Sequence, residues 1–211
     1  MNTKALKVFF IYTIVLAGFV ILGTIALYLF KSKHAYIFIV KLYYISEYSL
    51  FAIFLFYLIK NSIVKKIVIY SILPFIIISI ITYFITPKSD FSNYPSLIEF
   101  LAFIVFIIYF FYEKMNIIVE YPLYQSISFW ICMGLFIYFT GNFFYFLFIN
   151  SSKDKEFISQ MKLIYSFVTI SKNCLLCIAF SASEKIENKD DILYIPNEID
   201  LDSFNPKTNL N

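Results

Sequence analysis

Glu47, Glu99 and Lys172 each lie deep inside a long apolar stretch of the chain. A charge at bilayer depth is costly, so such residues usually face the interior of a helix bundle and mark a functional site. Two carboxylates that share one ammonium leave one negative charge uncompensated, and a proton or a cation would neutralise it. The three residues therefore predict a polar centre that binds a proton, an ion or a small polar or cationic ligand. The alternative interpretation is a Glu–Lys pair that only fixes the register of the helices.

The spacing of these residues places them at one depth. Each is followed by a polar boundary after a similar number of residues: 13 from Glu47 to Lys60, 14 from Glu99 to Glu113 and 12 from Lys172 to Glu184. With a helical rise of about 1.5 Å per residue, all three lie about 20 Å above the cytoplasmic boundary. We therefore expect the two carboxylates and the ammonium to share one layer.

Further polar residues at helical spacing extend this polar centre. Asn142, with Tyr138 and Tyr145, is predicted to join it. A polar stripe in the last apolar stretch is predicted to face inward, and its members are Lys162, Tyr165 or Ser166, Thr169, Lys172 and Asn173. Lys41 and Lys162 lie nearer the outer face, so we expect them to form an outer rim whose ammonium groups extend toward water.

Six apolar runs must position these residues. A membrane-spanning helix needs about 20 apolar residues, and runs of that kind cover 8–30, 36–59, 66–86, 93–113, 126–149 and 158–181. They do not alternate apolar and polar residues as barrel strands do. The sequence predicts an all-α polytopic membrane helix bundle of about six transmembrane helices over 1–181. Residues 182–211 are polar and acidic and are predicted to form a disordered cytoplasmic tail, or alternatively a short docking motif for a cytosolic partner.

The composition excludes several classes of protein. The chain of 211 residues is 61% hydrophobic and only 15% charged, whereas an average soluble domain is roughly half apolar and a quarter charged. All 17 basic residues are Lys, and they form no basic face for nucleic acid. His34 is the only histidine, and the three cysteines all lie in apolar runs. These residues form no catalytic or metal-binding set. We expect no enzyme activity, no metal and no cofactor.

The lysines also predict an orientation. Eight lysines fall on one side of the predicted helices and five on the other, and the side richer in Lys remains in the cytoplasm. The sequence therefore predicts both termini in the cytoplasm, in the bacterial inner (cytoplasmic) membrane.

Three residues suggest how the helices pack. Gly134 and Gly141 are seven residues apart and would allow two helices to approach closely. Pro74 predicts a kink in the third helix.

Glu47 and Glu99 also begin similar aromatic patterns. Residues 47–57 read Glu-Tyr-x-x-Phe-x-x-Phe-x-x-Tyr, and residues 99–109 read Glu-Phe-x-x-Phe-x-x-Phe-x-x-Tyr, at a constant offset of 52. A parallel repeat of three helical hairpins would explain this offset. Chance is the alternative in a chain with 27 Phe residues.

Three segments of the chain stand out: Tyr-Pro-Leu-Tyr-Gln-Ser-Ile-Ser-Phe-Trp at 121–130, Ile-Tyr-Phe-Thr-Gly-Asn-Phe-Phe at 137–144 and Lys-Asn-Cys-Leu-Leu-Cys-Ile-Ala at 172–179. Together they resemble small six-helix inner-membrane proteins of the Bacteroidetes. The resemblance covers about 40–180, with Ser128 where the family has Pro before Phe-Trp. The family has no established activity, and some members accompany sensor histidine kinases. The resemblance implies an integral membrane protein without a recognised catalytic motif.

These features leave several functions open. The first is a non-enzymatic sensory or accessory signalling subunit that contacts a partner through its tail or through loops 59–66 and 113–125. The second is a small proton- or ion-linked transporter or channel, as a homo-oligomer. The third is a membrane effector or accessory of a phage-defence system. The expected surroundings are the lipid bilayer and a cytosolic or membrane partner, not nucleic acid.

Overall fold

The computed structural model describes residues 3–29, 31–85, 94–116, 123–149 and 154–181. These residues form helices and no strand. The helices are α1 (Thr3–Tyr28), α2 (Lys33–Leu58), α3 (Ser62–Tyr70), α4 (Ile72–Ile85), α5 (Tyr94–Met115), α6 (Ile127–Ile149) and α7 (Lys155–Ser181), with a short 3-10 turn at Leu123–Gln125. Six helical spans are long and apolar enough to cross a membrane, one of them α3 and α4 together. The predicted all-α bundle is confirmed, while the predicted tail lies outside the described residues.

The third span is interrupted where α3 gives way to α4. Pro74 has no backbone N–H, so it cannot donate to the carbonyl one turn earlier. The helix breaks at Ser71, whose N–H donates to the Ile67 carbonyl at 2.9 Å, and the Phe75 N–H donates to the Ser71 carbonyl at 3.2 Å. The irregularity expected at Pro74 is therefore a break three residues before it.

Consecutive spans are antiparallel. In the α1–α2 pair, Phe9 lies 5.6 Å from Phe54 and Phe19 lies 5.9 Å from Tyr43 between ring centroids. Helix α2 packs against α1, α3, α4 and α5, and α6 packs between α5 and α7. We call the end where α1 begins and α2 ends the first end of the bundle, and the opposite end the second end.

Three aromatic rings close the centre of the bundle. Phe51 of α2, Phe103 of α5 and Phe139 of α6 contact one another, with centroids 4.9 to 5.7 Å apart. We call these three residues the aromatic layer. Buried apolar side chains continue from it toward the first end, among them Leu55, Ile107, Leu135, Ile131 and Cys132.

Glycine allows α6 and α7 to pack closely, as expected. A Cβ atom added to Gly141 would collide with Val168, because it would lie 2.7 Å from the Cγ1 atom and 3.1 Å from the Cβ atom of that valine. One on Gly134 would lie 3.4 Å from the Lys172 carbonyl oxygen. The close contact therefore sets the position of Lys172.

A carboxylate joins two helices at the first end. Glu113, near the end of α5, accepts hydrogen bonds from the backbone N–H groups of Lys60 at 2.7 Å and Asn61 at 2.6 Å. Asn61 in turn caps α3 by accepting from the Ile63 N–H at 2.9 Å. Negative charge is favourable at a helix N-terminus, so Glu113 holds the start of α3 against α5.

Candidate functional site: a buried polar centre

Glu47 lies on α2 with only 2% of its surface exposed. Tyr12 of α1, whose ring centroid lies 4.3 Å from that of Phe51, donates from its hydroxyl to Oε1 of Glu47 at 3.2 Å. Tyr43 interacts with the same carboxylate, and Lys172 lies within electrostatic range of it. Helices α1, α2 and α7 together therefore supply donors and positive charge to Glu47.

Lys172 reaches the centre from α7 and is 8% exposed. Side chains on a helix lean toward the start of that helix, so Lys172 extends toward the second end. Its Nζ lies 4.3 Å from the centroid of the Tyr138 ring on α6. A cation over an aromatic face is attracted by the negative charge of that face. The ammonium thus contacts the Tyr138 ring and interacts with the Glu47 carboxylate at longer, electrostatic range.

Glu99 is fully buried on α5, and its environment is different. Neither of its carboxylate oxygens has a hydrogen-bond partner among the described residues. Glu47, which has the same charge, interacts with it electrostatically, as do Tyr44 and Tyr48. A buried carboxylate without a donor is strongly unfavourable while it is ionised. Glu99 therefore requires a neutralising proton or cation.

Two buried serines belong to the helix faces that meet near Glu99. Tyr48 stacks on Phe75 of α4 at 4.0 Å and lies 4.9 Å from Phe103 of α5. Residues four apart share a helix face, so Tyr44, Ser79 and Glu99 form the next layer toward the second end. The hydroxyl oxygen of Ser79 is buried without a hydrogen-bond partner in the described chain.

Ser96 is the second of these serines and precedes Glu99 by one turn of α5. It is buried, and Tyr44 interacts with it across the α2–α5 contact. Hydroxyl oxygens of α4 and α5 therefore lie in the same region as the Glu99 carboxylate.

The other predicted residues divide between the interior and the surface. Asn142 is buried, and its Oδ1 has no hydrogen-bond partner in the described ranges. Thr169 is half-buried, and its hydroxyl donates to the Tyr165 carbonyl at 2.9 Å. Lys41, expected at an exposed outer rim, is buried in α2.

Helix α7 does not present a single inward stripe. It packs on α6 through Val168, Lys172 and Ala179, and Asn173 lies 100° around the helix from Lys172 at about 3.6 residues per turn. Asn173 and Lys162 are both exposed. The structure therefore corrects the expectation that Asn173 faces the interior with Lys172. The exposure of Lys162 departs from the predicted inward stripe but agrees with the other expectation for it, a position at the outer rim.

Sequence reasoning missed the contribution of Tyr12 and Ser79. Both lie in helices without an interior charge, and the chain contains 18 tyrosines. Helical spacing indicates Tyr138 and Tyr145, and Tyr43 and Tyr44 precede Glu47 by about one turn. No such spacing relates Tyr12 or Ser79 to the charged residues.

The fold and this site define a multi-pass helical membrane protein with a buried charged centre. We call Glu47, Glu99, Asn142 and Lys172 the polar centre. Comparison of the chain with protein-family models, curated proteins and solved structures found no match.

Proposed function

We propose that the chain is a non-enzymatic sensory or accessory signalling subunit of the bacterial inner membrane. The observation that carries this proposal is the buried Glu99 carboxylate, whose two oxygens find no hydrogen-bond partner among the described residues. Because an unpaired buried charge costs several kcal/mol, the folded protein must take up a proton or a small cation there. Occupancy of this position by the ion is the signal.

The aromatic layer supports sensing from one side. Phe51, Phe103 and Phe139 are almost completely buried and separate the polar centre from the first end. Ions therefore exchange with the second end, which is the outer side when both termini are cytoplasmic. A site closed on one side suits a receptor better than an open channel.

Tyr48 connects the polar centre to the first end, so a change at Glu99 can be transmitted there as a movement of helices. It lies within electrostatic range of Glu99, stacks on Phe75 and donates from its hydroxyl to Ser71 Oγ at 2.9 Å. Ser71 is the point at which the third span breaks. A change of charge at Glu99 would shift this break and move α3, whose first turn and the residues before it, 59–66, would contact a signalling partner.

Transport of a proton or an ion is the second candidate. Discontinuous helices beside a midplane site are typical of secondary transporters, and the break at Ser71 adjoins Tyr48. Transport would require the aromatic layer to open, whereas sensing would not.

Liposome reconstitution separates the two functions. We would attach a fluorophore at Ile63→Cys, an exposed position on α3, after replacing Cys132, Cys174 and Cys177 with alanine. For a sensor we expect fluorescence to change when the pH or the Na⁺ or K⁺ concentration changes at the second end, with no flux. Glu99→Gln should remove the response, while Glu156→Gln, an exposed carboxylate on α7, should retain it.

Each remaining outcome has a definite meaning. Flux that the Glu47→Gln/Glu99→Gln double variant loses would establish transport and overturn the sensory proposal. Folded protein that gives neither flux nor a fluorescence change would overturn both, and the Glu–Lys pair would then serve helix register only.

A further inference from the structure

We infer that Glu99, Ser79 and Ser96 form a binding site for a single alkali-metal cation between α4 and α5. The inference rests on the proposed function and names its ligand. All three side chains are at most 2% exposed. Glu99 and Ser96 are one turn apart on the buried face of α5. Ser79 is one turn from Phe75 on the buried face of α4, as Glu99 is from Phe103, and both rings contact Tyr48.

The number of unpaired oxygens favours a cation over a proton. Both oxygens of Glu99 and the hydroxyl oxygen of Ser79 have no hydrogen-bond partner among the described residues. A proton on Glu99 would neutralise the charge, but its one O–H can donate to only one of the unpaired oxygens. A bound cation contacts several oxygens at once, and carboxylate and hydroxyl oxygens are ligands suited to hard cations.

The charge near the site favours a monovalent ion. Glu99 is the one carboxylate of the proposed ligand set, and Glu47 is engaged by the Tyr12 hydroxyl and by Lys172. Ca²⁺ takes six to eight oxygen ligands, often several carboxylates, and Mg²⁺ retains several waters. One carboxylate with two hydroxyls in a fully buried layer matches the charge of Na⁺ or K⁺ better.

Glu47 strengthens the site without acting as a ligand. It interacts electrostatically with Glu99, so its negative charge raises the affinity for a positive ion and opposes any anion. The Lys172 ammonium offsets Glu47 from the α7 side. A cation at Glu99 would give the polar centre a net charge of zero.

Thermal unfolding of the full-length protein in detergent tests the site. The buffers contain chloride salts of Li⁺, Na⁺, K⁺ or N-methylglucamine at equal ionic strength and at pH 8. A ligand that binds only the folded state raises the melting temperature with its concentration. We expect a saturable rise with at least one alkali ion over N-methylglucamine, and no such difference in Glu99→Gln.

A second variant, which leaves the Glu99 carboxylate in place, keeps the test valid if Glu99→Gln fails to fold. Ser79→Ala keeps the carboxylate but removes one ligand, so we expect about tenfold weaker apparent affinity, as for loss of one hydrogen bond to a charged group. Ser49→Ala is the matched control, because the Ser49 hydroxyl donates within its own helix to the Ile45 carbonyl at 2.7 Å. It should keep the affinity of the wild type.

Two results would overturn the inference. Identical wild-type melting temperatures in all four salts, with Glu99→Gln more stable in each, would assign a proton to Glu99. The proposed sensor would survive that result if the fluorophore on α3 still responded to pH. Stabilisation by Mg²⁺ or Ca²⁺ alone would exclude a monovalent site.

Discussion

Glu47 and Lys172 stabilise each other because each compensates the buried charge of its partner. Glu47 also accepts from Tyr12 at 3.2 Å, and the Lys172 ammonium lies 4.3 Å from the Tyr138 ring. Removing one member of a buried ion pair is strongly destabilising, whereas replacing both with neutral groups is often tolerated. The two residues should therefore be energetically coupled.

A double-mutant cycle measures this coupling. We expect Glu47→Gln and Lys172→Met each to lower the free energy of unfolding by about 3 kcal/mol, and the double variant to lose clearly less than their sum. The measurement is equilibrium unfolding in mixed micelles. Tyr12→Phe, which removes only one donor, should cost about 1 to 2 kcal/mol. Strictly additive losses would show that the two charges do not interact.

Residue rarity determines how much of the polar centre could be predicted. Glu47, Glu99 and Lys172 are conspicuous because charges are rare at bilayer depth. Tyr12 and Ser79 belong to common residue types, and their role depends on how α1 and α4 are rotated against their neighbours. Asn173 is the opposite case, a conspicuous polar residue that lies outside the centre. It stands next to Lys172 in the sequence, but the sequence does not say which part of the α7 surface meets α6.

At the scale of the helices, the α6–α7 contact sets the geometry of the centre. A Cβ on Gly141 would collide with Val168, one turn from Lys172. The paired glycines were recognisable in the sequence as a means of close approach. The helix that packs against them could not be predicted, because nothing in the spacing of Gly134 and Gly141 identifies α7.

Gly141→Ala should therefore force α6 and α7 apart. We expect it to lower the free energy of unfolding by about 1 to 3 kcal/mol, the usual cost of overpacking, and to displace the Lys172 ammonium from Tyr138. Val168→Ala should restore much of the loss by making room for the new methyl group. Thermal unfolding of the single and double variants measures both effects.

Gly18 of α1 provides the matched control, since a Cβ there would meet nothing within 4 Å. Gly18→Ala should be neutral or stabilising by up to about 1 kcal/mol, because alanine is the better helix former. If Gly141→Ala were equally harmless, α6 and α7 would not be in close contact at Gly141.

At the scale of the whole molecule, the number of spans was predictable but their arrangement was not. Length and hydropathy define six spans, and Pro74 marks the irregular one within three residues of the break at Ser71. The central position of α2 arises from side-chain packing across four other helices. The offset pattern of α2 and α5 does place Phe51 and Phe103 equivalently, and the structure brings these rings into contact at 5.7 Å.

The orientation of the bundle depends on its lysines. By sequence position, eight lysines near the ends of the predicted spans fall on the side of Lys4 and Lys7, with Lys207 farther along the C-terminal segment, and five fall on the other side. We therefore expect the first end in the cytoplasm. A reporter fused after residue 211 should then behave as cytoplasmic: green fluorescent protein should fluoresce, and alkaline phosphatase should be inactive.

Lysine substitutions at the two ends test whether this bias causes the orientation. Lys7, Lys60 and Lys66 are exposed, and replacing all three with Asn would leave five lysines near the span ends on each side. We expect that variant to insert in both orientations and to give phosphatase activity. Replacing Lys31 and Lys33 instead strengthens the bias and should leave the reporters unchanged. Active phosphatase on the wild-type chain would reverse the orientation, and the polar centre would then exchange ions with the cytoplasm.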